Sequence, residues 1–293
     1  MSCQFRCNSN ALLVKNKEPI IPRTIWILWH QGLSNAPFIV KKCIDSWYKE
    51  NPEWEIIVLD ADTVHDYVHL AVPEDIMSKL SLAHQSDLVR LALLSKHGGI
   101  WADATTFCVK PLDSWIHDHS KSGFFAFDKP TPDKLLSNWF LATSRECPIP
   151  SRLYEELVFY WSKINFTQDV SILQRTTTQI LSRILNHNEK MTRFWFSPIV
   201  TKHLHGYPYF VFHYLFAKLV EEDDDVRKAW VETEKINAAG PHTLQEHGML
   251  SPLSETLKKQ IDDQDVPLYK LTYKYDHSSY SPDTSLYYLL QGR

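Results

Sequence analysis

Glycine is scarce in this chain, with 8 glycines among 293 residues, against roughly 7% in an average protein. This scarcity argues against repeated glycine-rich phosphate loops. A surplus of basic charge is also missing, because 31 basic and 35 acidic residues leave a net charge of −4. General nucleic-acid binders are normally basic, so we expect no nucleic-acid partner. The charge stays compatible with binding one anionic small molecule.

Paired cysteines and long apolar runs are missing as well. Five scattered cysteines form no CxxC pair and no zinc-type spacing with histidine: Cys3, Cys7, Cys43, Cys108 and Cys147. An odd, scattered set is not a disulfide framework, so the reduced cytosol is the expected compartment. No run of 18 apolar residues occurs, so no transmembrane helix is predicted. We therefore expect a cytoplasmic protein whose contact with a membrane, where it makes one, is peripheral.

The remaining composition is that of a globular protein, with 44% hydrophobic and 23% charged residues. Apolar runs predict strands at 20–29, 54–59, 100–102, 107–109, 123–127 and 139–142. Helical spacing and stop signals predict helices at 37–51, 62–70, 74–81, 82–96, 149–187 and 209–235. The order of these elements over 20–142 predicts an α/β sheet with an antiparallel element. The first strand is apolar throughout, which is typical of a strand buried on both faces.

Three features carry the residues with chemical potential. Trp29 stands at the carboxyl end of the first strand, where ligands of open α/β sheets lie, although Trp26 and Trp29 could both be core residues. Asp87 and Arg90 share one helix face, either as a ligand anchor or as an ordinary intrahelical salt bridge. Asp103 follows a short strand and is placed to hold a divalent cation against a diphosphate.

Taken together, the three features resemble the capsular polysaccharide synthesis family and the related DXD sugar-transferase family, and more distantly the large clostridial glucosylating toxins. The match covers residues 20–145 with order and spacing kept. It consists of an I-P-x-x-I-W strand, an S-W-x-x-x-N-P segment, an S-D-x-x-R helix and a G-G-I-W-x-D-A-T turn, at Ile21–Trp26, Ser46–Pro52, Ser86–Arg90 and Gly98–Thr105.

The resemblance implies an α/β fold of the GT-A-like, Rossmann type with a helical C-terminal addition. Under this interpretation a loose leader over 1–19 precedes a single domain over 20–293. Its nucleotide-sugar-binding part is 20–145 and its helical, acceptor-side part is 146–293. The implied activity is that of a hexosyl- or pentosyltransferase, which moves a sugar from a UDP- or GDP-linked donor to a glycan or lipid-linked oligosaccharide acceptor.

The resemblance also assigns roles to single residues. It places Trp29 on the base, Trp101 near the ribose, and Asp87 and Arg90 at the donor sugar and diphosphate. Asp103 matches the first aspartate of the DXD motif, which touches the ribose and a Mn²⁺ or Mg²⁺ ion, and Asn138 lies near the reacting sugar. Thr105 stands where the broader DXD group has a second carboxylate, which predicts a weaker metal site with more water ligands.

The departing diphosphate gains negative charge, which a metal or cationic side chains must meet. With one carboxylate in the motif, we expect help from the C-terminal part, where the candidates are His242, Lys270, Lys274 and His277. An inverting enzyme also needs a base for the acceptor hydroxyl. Asp128, at the end of a predicted strand, is the candidate for that base. A retaining enzyme needs no such base, and the sequence decides for neither.

Two other function classes fit parts of the sequence. A glycoside hydrolase needs two carboxylates that flank a cleft, and Asp87 and Asp103 could supply them, although Asp87 is expected to pair with Arg90. A non-catalytic sugar-binding module would explain the 10 tryptophans and 13 tyrosines and the reduced metal motif. Donor turnover separates the transferase from both.

Overall fold

A mixed five-stranded sheet forms the centre of the fold. The computed structural model describes residues 19–163, 172–204, 207–275 and 277–291, and for 172–175 and 277 the backbone alone. The strands are β1 (Thr24–Leu28), β2 (Glu55–Leu59), β3 (Gly99–Ala102), β4 (Thr106–Cys108), β5 (Phe124–Asp128), β6 (Leu136–Thr143) and β7 (Leu268–Lys270). Their order is β2-β1-β3-β6-β5, and β4 pairs with β7 in a second, two-stranded sheet. β1, β2 and β3 are parallel, whereas β6 is antiparallel to both of its neighbours, β3 and β5.

Helices cover the sheet and make up much of the C-terminal half. They are α1 (Phe38–Glu50), α2 (Glu74–Met77), α3 (Leu82–His97), α4 (Ile116–His119), α5 (Pro148–Lys163), α6 (Ile172–Leu185), α7 (Glu189–Thr192), α8 (Val211–Glu222), α9 (Asp224–Glu232), α10 (Ala239–His247), α11 (Glu255–Asp262) and α12 (Ser285–Gln291). None of these helices has the length and apolarity that crossing a membrane requires. The α/β class predicted from the sequence is confirmed.

β1 is buried on both faces, as its continuous apolar sequence predicts. Ile25 and Ile27 belong to the core cluster that also contains α1 residues. Trp26 and Leu28 belong to the opposite cluster, which contains α3 residues. Successive side chains of a strand point to opposite faces, so a strand between two helical layers needs apolar residues at every position. Trp26 is thus a core residue, 3% exposed.

The S-W-x-x-x-N-P segment ties α1 to the strand that follows the D-A-T turn. Trp47 is fully buried, and its Nε1 donates to the carbonyl of Thr106 at 2.9 Å. Ser46 Oγ accepts from the Cys108 backbone N–H at 2.9 Å. Asn51 lies just after α1, and its Oδ1 accepts from the Leu112 N–H at 2.8 Å. The conspicuous motif is therefore scaffolding for β4 rather than part of a ligand site.

Two consecutive glycines connect α3 to β3. Gly98 has φ 67° and ends the helix, and its N–H donates to the Leu94 carbonyl at 2.9 Å. Gly99 has φ 96°, and a Cβ at this position would lie 2.6 Å from the carbonyl oxygen of Thr24. The glycines therefore let β3 turn back against β1, so that Asp103 follows directly at the sheet edge.

Several predicted elements differ from the structure in extent. The helix predicted at 62–70 is wrong: residues Thr63–Asp66 form one 3-10 turn. The Asp60 carboxylate accepts from the backbone N–H groups of Asp62 and Thr63 at 3.1 and 2.9 Å, a local turn that competes with a helix. The helix predicted at 149–187 corresponds to α5 and α6, with 164–171 outside the described residues. The predicted leader, up to residue 18, also lies outside them, as do Cys3 and Cys7.

The C-terminal part returns to the motif through a strand pair. β7 runs antiparallel to β4, with Lys270 opposite Thr106 and Leu268 opposite Cys108. The Leu271 N–H also donates to the Thr105 carbonyl at 2.8 Å. Tyr269, between these residues, is fully buried in the core cluster that contains α1. This pairing places the Lys270 side chain beside the D-A-T turn.

Candidate active site

A cavity of about 390 Å³ lies beyond the carboxyl ends of β1 and β3. Parallel strands end at the same edge of a sheet, and this edge is where open α/β folds hold their ligands. All the residues predicted to bind the donor line this cavity: Trp29, Asp87, Arg90, Trp101, Asp103, Thr105 and Asn138. Lys270 lines it from the C-terminal part. The fold thus brings the sequence-predicted donor residues together around one cavity.

Arg90 connects the two aspartates of the site. Its Nη1 donates to Asp87 Oδ1 at 2.5 Å, one turn earlier on α3, and its Nη2 donates to Asp103 Oδ1 at 3.0 Å. The guanidinium lies 5.0 Å from the centre of the Trp101 ring and 5.7 Å from that of Phe212. Arg90 is 4% exposed, so it is a fixed and desolvated cation. The pair with Asp87 is more than a surface salt bridge within one helix.

Lys270 is the second cation of the site. Its Nζ donates to Asp103 Oδ2 at 2.8 Å and to Thr105 Oγ1 at 2.8 Å. The threonine that replaces the second carboxylate of the DXD pattern therefore binds an ammonium group. Of the three leaving-group candidates whose side chains the structure describes, His242, Lys270 and Lys274, Lys270 is the one in this cavity.

The two carboxylates have opposite electrostatic environments. Burial outweighs the Arg90 charge and raises the pKa of Asp87. Burial also acts to raise the pKa of Asp103, but the charges of Lys270 and Arg90 outweigh it and hold that pKa below the usual range. Asp103 is thus ionised at neutral pH. Its side chain is 27% exposed, so it can still face a ligand in the cavity.

The two tryptophans of the site differ in exposure. Trp101 is 1% exposed, and its Nε1 donates to Asp103 Oδ1 at 2.9 Å. Its place is therefore beneath Arg90 and Asp103, where it orients both. Trp29 is half-buried and packs edge-to-face on Tyr273, with ring centres 5.3 Å apart. Trp29 keeps a surface on the cavity, as stacking on a base requires.

A second cavity of about 510 Å³ adjoins the first. Asn138, Phe210 and His213 line both cavities. Asn138 Nδ2 donates to Asp87 Oδ1 at 3.0 Å, so the amide is fixed at the boundary between them. His213 is 7% exposed, and burial, with the nearby charges of Lys134 and Arg90, lowers its pKa well below the usual value. His213 is consequently a neutral residue at this boundary.

The structure does not bring Asp128 into either cavity. β5 and β3 end at the same edge of the sheet, but β6 lies between them, which separates neighbouring positions by about 10 Å at the usual strand spacing. The Asp128 backbone bonds to Ile236 and Ala238. Burial raises the pKa of its carboxyl group. The predicted position at a strand end is correct, but its side chain does not line the site.

Two of the other C-terminal candidates, His242 and Lys274, lie apart from the donor cavity. His242 lines the second cavity, where burial lowers its pKa. Lys274 is exposed and lines neither cavity, and the side chain of His277 lies outside the described residues.

Sequence reasoning missed His30 and Ser86, which line the donor cavity with His30 Nε2 and Ser86 Oγ 3.1 Å apart. Both are adjacent to residues that it selected, Trp29 and Asp87, which is the signal that could have found them.

A family model described as capsular polysaccharide synthesis protein matches residues 3–203 and 189–289. The chain belongs to this family. The match extends well beyond the residues 20–145 in which the sequence motifs lie. It therefore includes α8 and β7, the elements that supply His213 and Lys270 to the cavities.

Curated relatives of this family member are named as glycosyltransferases. The O-glycosyltransferase braB of Annulohypoxylon truncatum is 28% identical over 172 residues, which are 52% of this chain and 41% of that protein. The initiation-specific alpha-1,6-mannosyltransferase of Candida albicans is 25% identical over 144 residues, 43% of this chain and 37% of that protein. The matched part is thus less than half of the length of these relatives.

The solved structure of a protein named PaToxG Glycosyltransferase matches 84% of this chain and 85% of its own. The sequence identity is 18% and the TM-score is 0.39. A likeness at this level carries no weight for the fold or for the function.

Proposed function

We propose that this protein is a glycosyltransferase that moves a hexosyl or pentosyl group from a UDP- or GDP-linked donor to a glycan or lipid-linked oligosaccharide. The observation that carries the proposal is the Asp87–Arg90–Asp103–Lys270 network on the wall of the donor cavity, with Trp29 on the same cavity. The names of the curated relatives support the same reaction class.

The side chains of this cavity match the parts of a nucleoside-diphosphate sugar. A half-buried aromatic ring such as Trp29 offers a stacking surface for a base. Arg90 and Lys270 are two fixed cations for the diphosphate. Asp103 and the amide of Asn138 offer an acceptor and a donor for the hydroxyl groups of ribose and sugar. We therefore assign the donor to this cavity.

The two cations also serve the chemical step. When the bond between the sugar and the diphosphate breaks, negative charge grows on the departing oxygen. Donors that are already fixed in a partly desolvated site stabilise such charge without reorganisation. Arg90 is held between two rings and two carboxylates, and Lys270 is held by the β4–β7 pair. Both are thus preorganised to stabilise the transition state more than the ground state.

We assign the acceptor to the second cavity. It meets the donor cavity at Asn138, Phe210 and His213, so a hydroxyl group placed there can approach the sugar. Trp139 and His242 line it, with ring centres 5.7 Å apart. Aromatic faces and polar edges of this kind suit carbohydrates.

The cytoplasmic location and the peripheral membrane contact inferred from the sequence stay predictions.

The arrangement of the carboxylates favours transfer over hydrolysis of a glycoside. A hydrolase needs two carboxyl groups on opposite sides of the scissile bond, about 5–9.5 Å apart. Asp87 Oδ1 instead accepts from Arg90 and from Asn138, and Asp87 is 7% exposed, so its carboxylate is not free to act on a glycosidic bond in the cavity. The other alternative is a non-catalytic sugar-binding module, which measured turnover of a donor would exclude.

A donor screen tests the proposal directly. The purified chain is incubated with UDP- and GDP-linked hexoses and pentoses, with and without Mn²⁺, and released UDP or GDP is measured. We expect release from one donor class, and a rise in melting temperature with the matching nucleoside diphosphate, because a ligand that binds the folded state stabilises it.

A matched pair of variants controls this screen. Arg90→Lys changes the fixed fork to a point charge, whereas Arg152→Lys makes the same exchange at a half-exposed arginine of α5 that lines neither cavity. Turnover should fall in the first variant alone. If the chain binds donors but turns over none of them, it is a sugar-binding module. If it cleaves oligosaccharides without a nucleotide, it is a glycoside hydrolase.

A further inference from the structure

We propose that the Lys270 ammonium takes the place of the divalent cation, so that this enzyme binds its nucleoside-diphosphate donor and releases the diphosphate without a metal ion. This inference rests on the proposed function. It concerns the site at which the family resemblance implies Mn²⁺ or Mg²⁺ on Asp103. The residues of that site, as the structure arranges them, do not fit such an ion.

The acceptor sites of the Asp103 carboxylate are nearly all used by hydrogen bonds. Oδ1 accepts from Arg90 Nη2 at 3.0 Å and from Trp101 Nε1 at 2.9 Å. Oδ2 accepts from Lys270 Nζ at 2.8 Å. A carboxylate offers about four lone-pair sites, so one site remains, on the oxygen that already holds the ammonium. An ion bound there would lie next to a positive charge.

A cluster of metal ligands around Asp103 is also lacking in the described part of the chain. No three histidine, cysteine, aspartate or glutamate side chains come together there as a metal cluster. Mg²⁺ usually needs one or two carboxylates in addition to the substrate phosphates. The second position of the motif is Thr105, whose hydroxyl accepts from Lys270. The other nearby carboxylate, Asp87, is buried and bound to Arg90 and Asn138.

The Lys270 ammonium lies beside the motif and lines the donor cavity. The β4–β7 pair sets it opposite Thr106, and its side chain is 16% exposed and lines the donor cavity. An ammonium group has three donors. Two bind Asp103 and Thr105, and the third has no partner among the described residues, so it can donate to a phosphate oxygen. The same atom therefore contacts the motif and can contact the diphosphate.

The charges of the network agree with this role. Two carboxylates, Asp87 and Asp103, face two cations, Arg90 and Lys270, so the four groups are neutral together. In the transfer step, the bond from the sugar C1 to the diphosphate oxygen breaks and its electron pair stays on that oxygen. The acceptor oxygen forms the new bond to C1 and releases its proton to water. Lys270 and Arg90 stabilise the charge on the departing oxygen.

The first experiment measures metal and nucleotide binding separately. The full chain is freed of metal with EDTA and dialysed, and UDP and GDP are titrated calorimetrically in EDTA, in Mg²⁺ and in Mn²⁺. We expect one nucleotide to bind in EDTA within about twofold of its affinity in Mn²⁺. Electron paramagnetic resonance of Mn²⁺ without nucleotide should show no ion taken up at this site.

The second experiment exchanges the cation. Lys270→Met should weaken nucleotide binding in EDTA by about 10- to 100-fold, the usual loss for a hydrogen bond to a charged group. Lys274→Met is the matched control on an exposed lysine that lines neither cavity, and its affinity should stay unchanged. Combining Lys270→Met with Thr105→Asp restores a second carboxylate and removes the ammonium, so nucleotide binding should become dependent on Mn²⁺.

Two results separate this inference from the proposed function. Nucleotide binding that needs Mn²⁺ in the unmodified chain, and loses this need in Asp103→Asn, overturns the inference and leaves the proposed function standing. Binding of neither UDP nor GDP in EDTA, Mg²⁺ or Mn²⁺ overturns both. Loss of binding in Lys274→Met equal to that in Lys270→Met also overturns the inference, because a lysine that lines neither cavity would then act as strongly.

Discussion

Removal of the Arg90 guanidinium should destabilise the fold as well as the site. Arg90→Met keeps much of the side-chain volume between the Trp101 and Phe212 rings but deletes the charge. Asp87 then keeps Asn138 as a hydrogen-bond partner but loses its ion-pair partner, whereas Asp103 keeps Lys270. Breaking a buried ion pair from one side typically costs about 3–5 kcal/mol. For a chain of this size that cost corresponds to a fall in melting temperature of roughly 5–15 °C.

Thermal unfolding followed by tryptophan fluorescence measures this loss. The control is a double-mutant cycle with Asp87→Asn, which keeps the shape of Asp87 and removes its charge. Arg90→Met combined with Asp87→Asn should be clearly more stable than Arg90→Met alone, since no uncompensated charge remains at Asp87. If Arg90→Met lowers the melting temperature by less than about 2 °C, or if the two changes simply add, the reasoning from the buried pair is refuted.

The same variant has a predictable pH dependence. Burial already raises the pKa of Asp87 in the native fold, and loss of the guanidinium raises it further. A folded pKa above the unfolded value means that the folded state binds the extra proton. Stability therefore falls as pH rises from the unfolded value of about 3.9 towards the folded value. Arg90→Met should thus recover stability relative to the unmodified chain, in urea denaturation, as the pH is lowered from 7 towards that unfolded value.

Four further predictions concern single side chains. Trp29→Ala should weaken nucleotide binding by about 5- to 150-fold with little loss of stability, and Trp29→Phe should recover part of the affinity. A large loss of stability with normal nucleotide affinity would show that Trp29 is a core residue and not a stacking surface. Asp103→Asn should abolish most donor turnover while circular dichroism stays unchanged. Trp47→Ala should cost about 3–5 kcal/mol of unfolding free energy, as measured by urea denaturation. Asp128→Asn should leave nucleotide affinity within about twofold, by calorimetry, because its side chain lines neither cavity.

Most donor-cavity residues could be predicted from the sequence because they lie in short, local patterns. Asp87 and Arg90 are one helical turn apart, and Trp29 and Asp103 each follow an apolar strand. Such spacings predict which side chains share a face or an edge. The parallel pairing of β1 and β3 then brings them into one cavity. The sheet class and the two-sided burial of β1 follow from the same local signals.

The position of Lys270 in the donor cavity could not be predicted in this way. Lys270 is separated from Asp103 by 167 positions, and the contact depends on the register of a three-residue strand pair. Sequence reasoning chose Lys270, Lys274, His242 and His277 together because charge alone does not distinguish them. For Asp128, a strand end was recognised, but the insertion of β6 between β3 and β5 is a property of the topology.

Neither the overall charge of the chain nor the summed charge of the site attracts an anionic ligand. The chain carries a net charge of −4. The charges of the four paired groups in the donor cavity, Asp87, Arg90, Asp103 and Lys270, add up to zero. Attraction of a nucleoside diphosphate cannot come from the overall charge. It must come from the direction of the hydrogen-bond donors, since Arg90 and Lys270 are held in place by carboxylates that they neutralise. Fixed donors in a partly desolvated cavity act strongly over short distances, which favours one specific anion over general binding of polyanions.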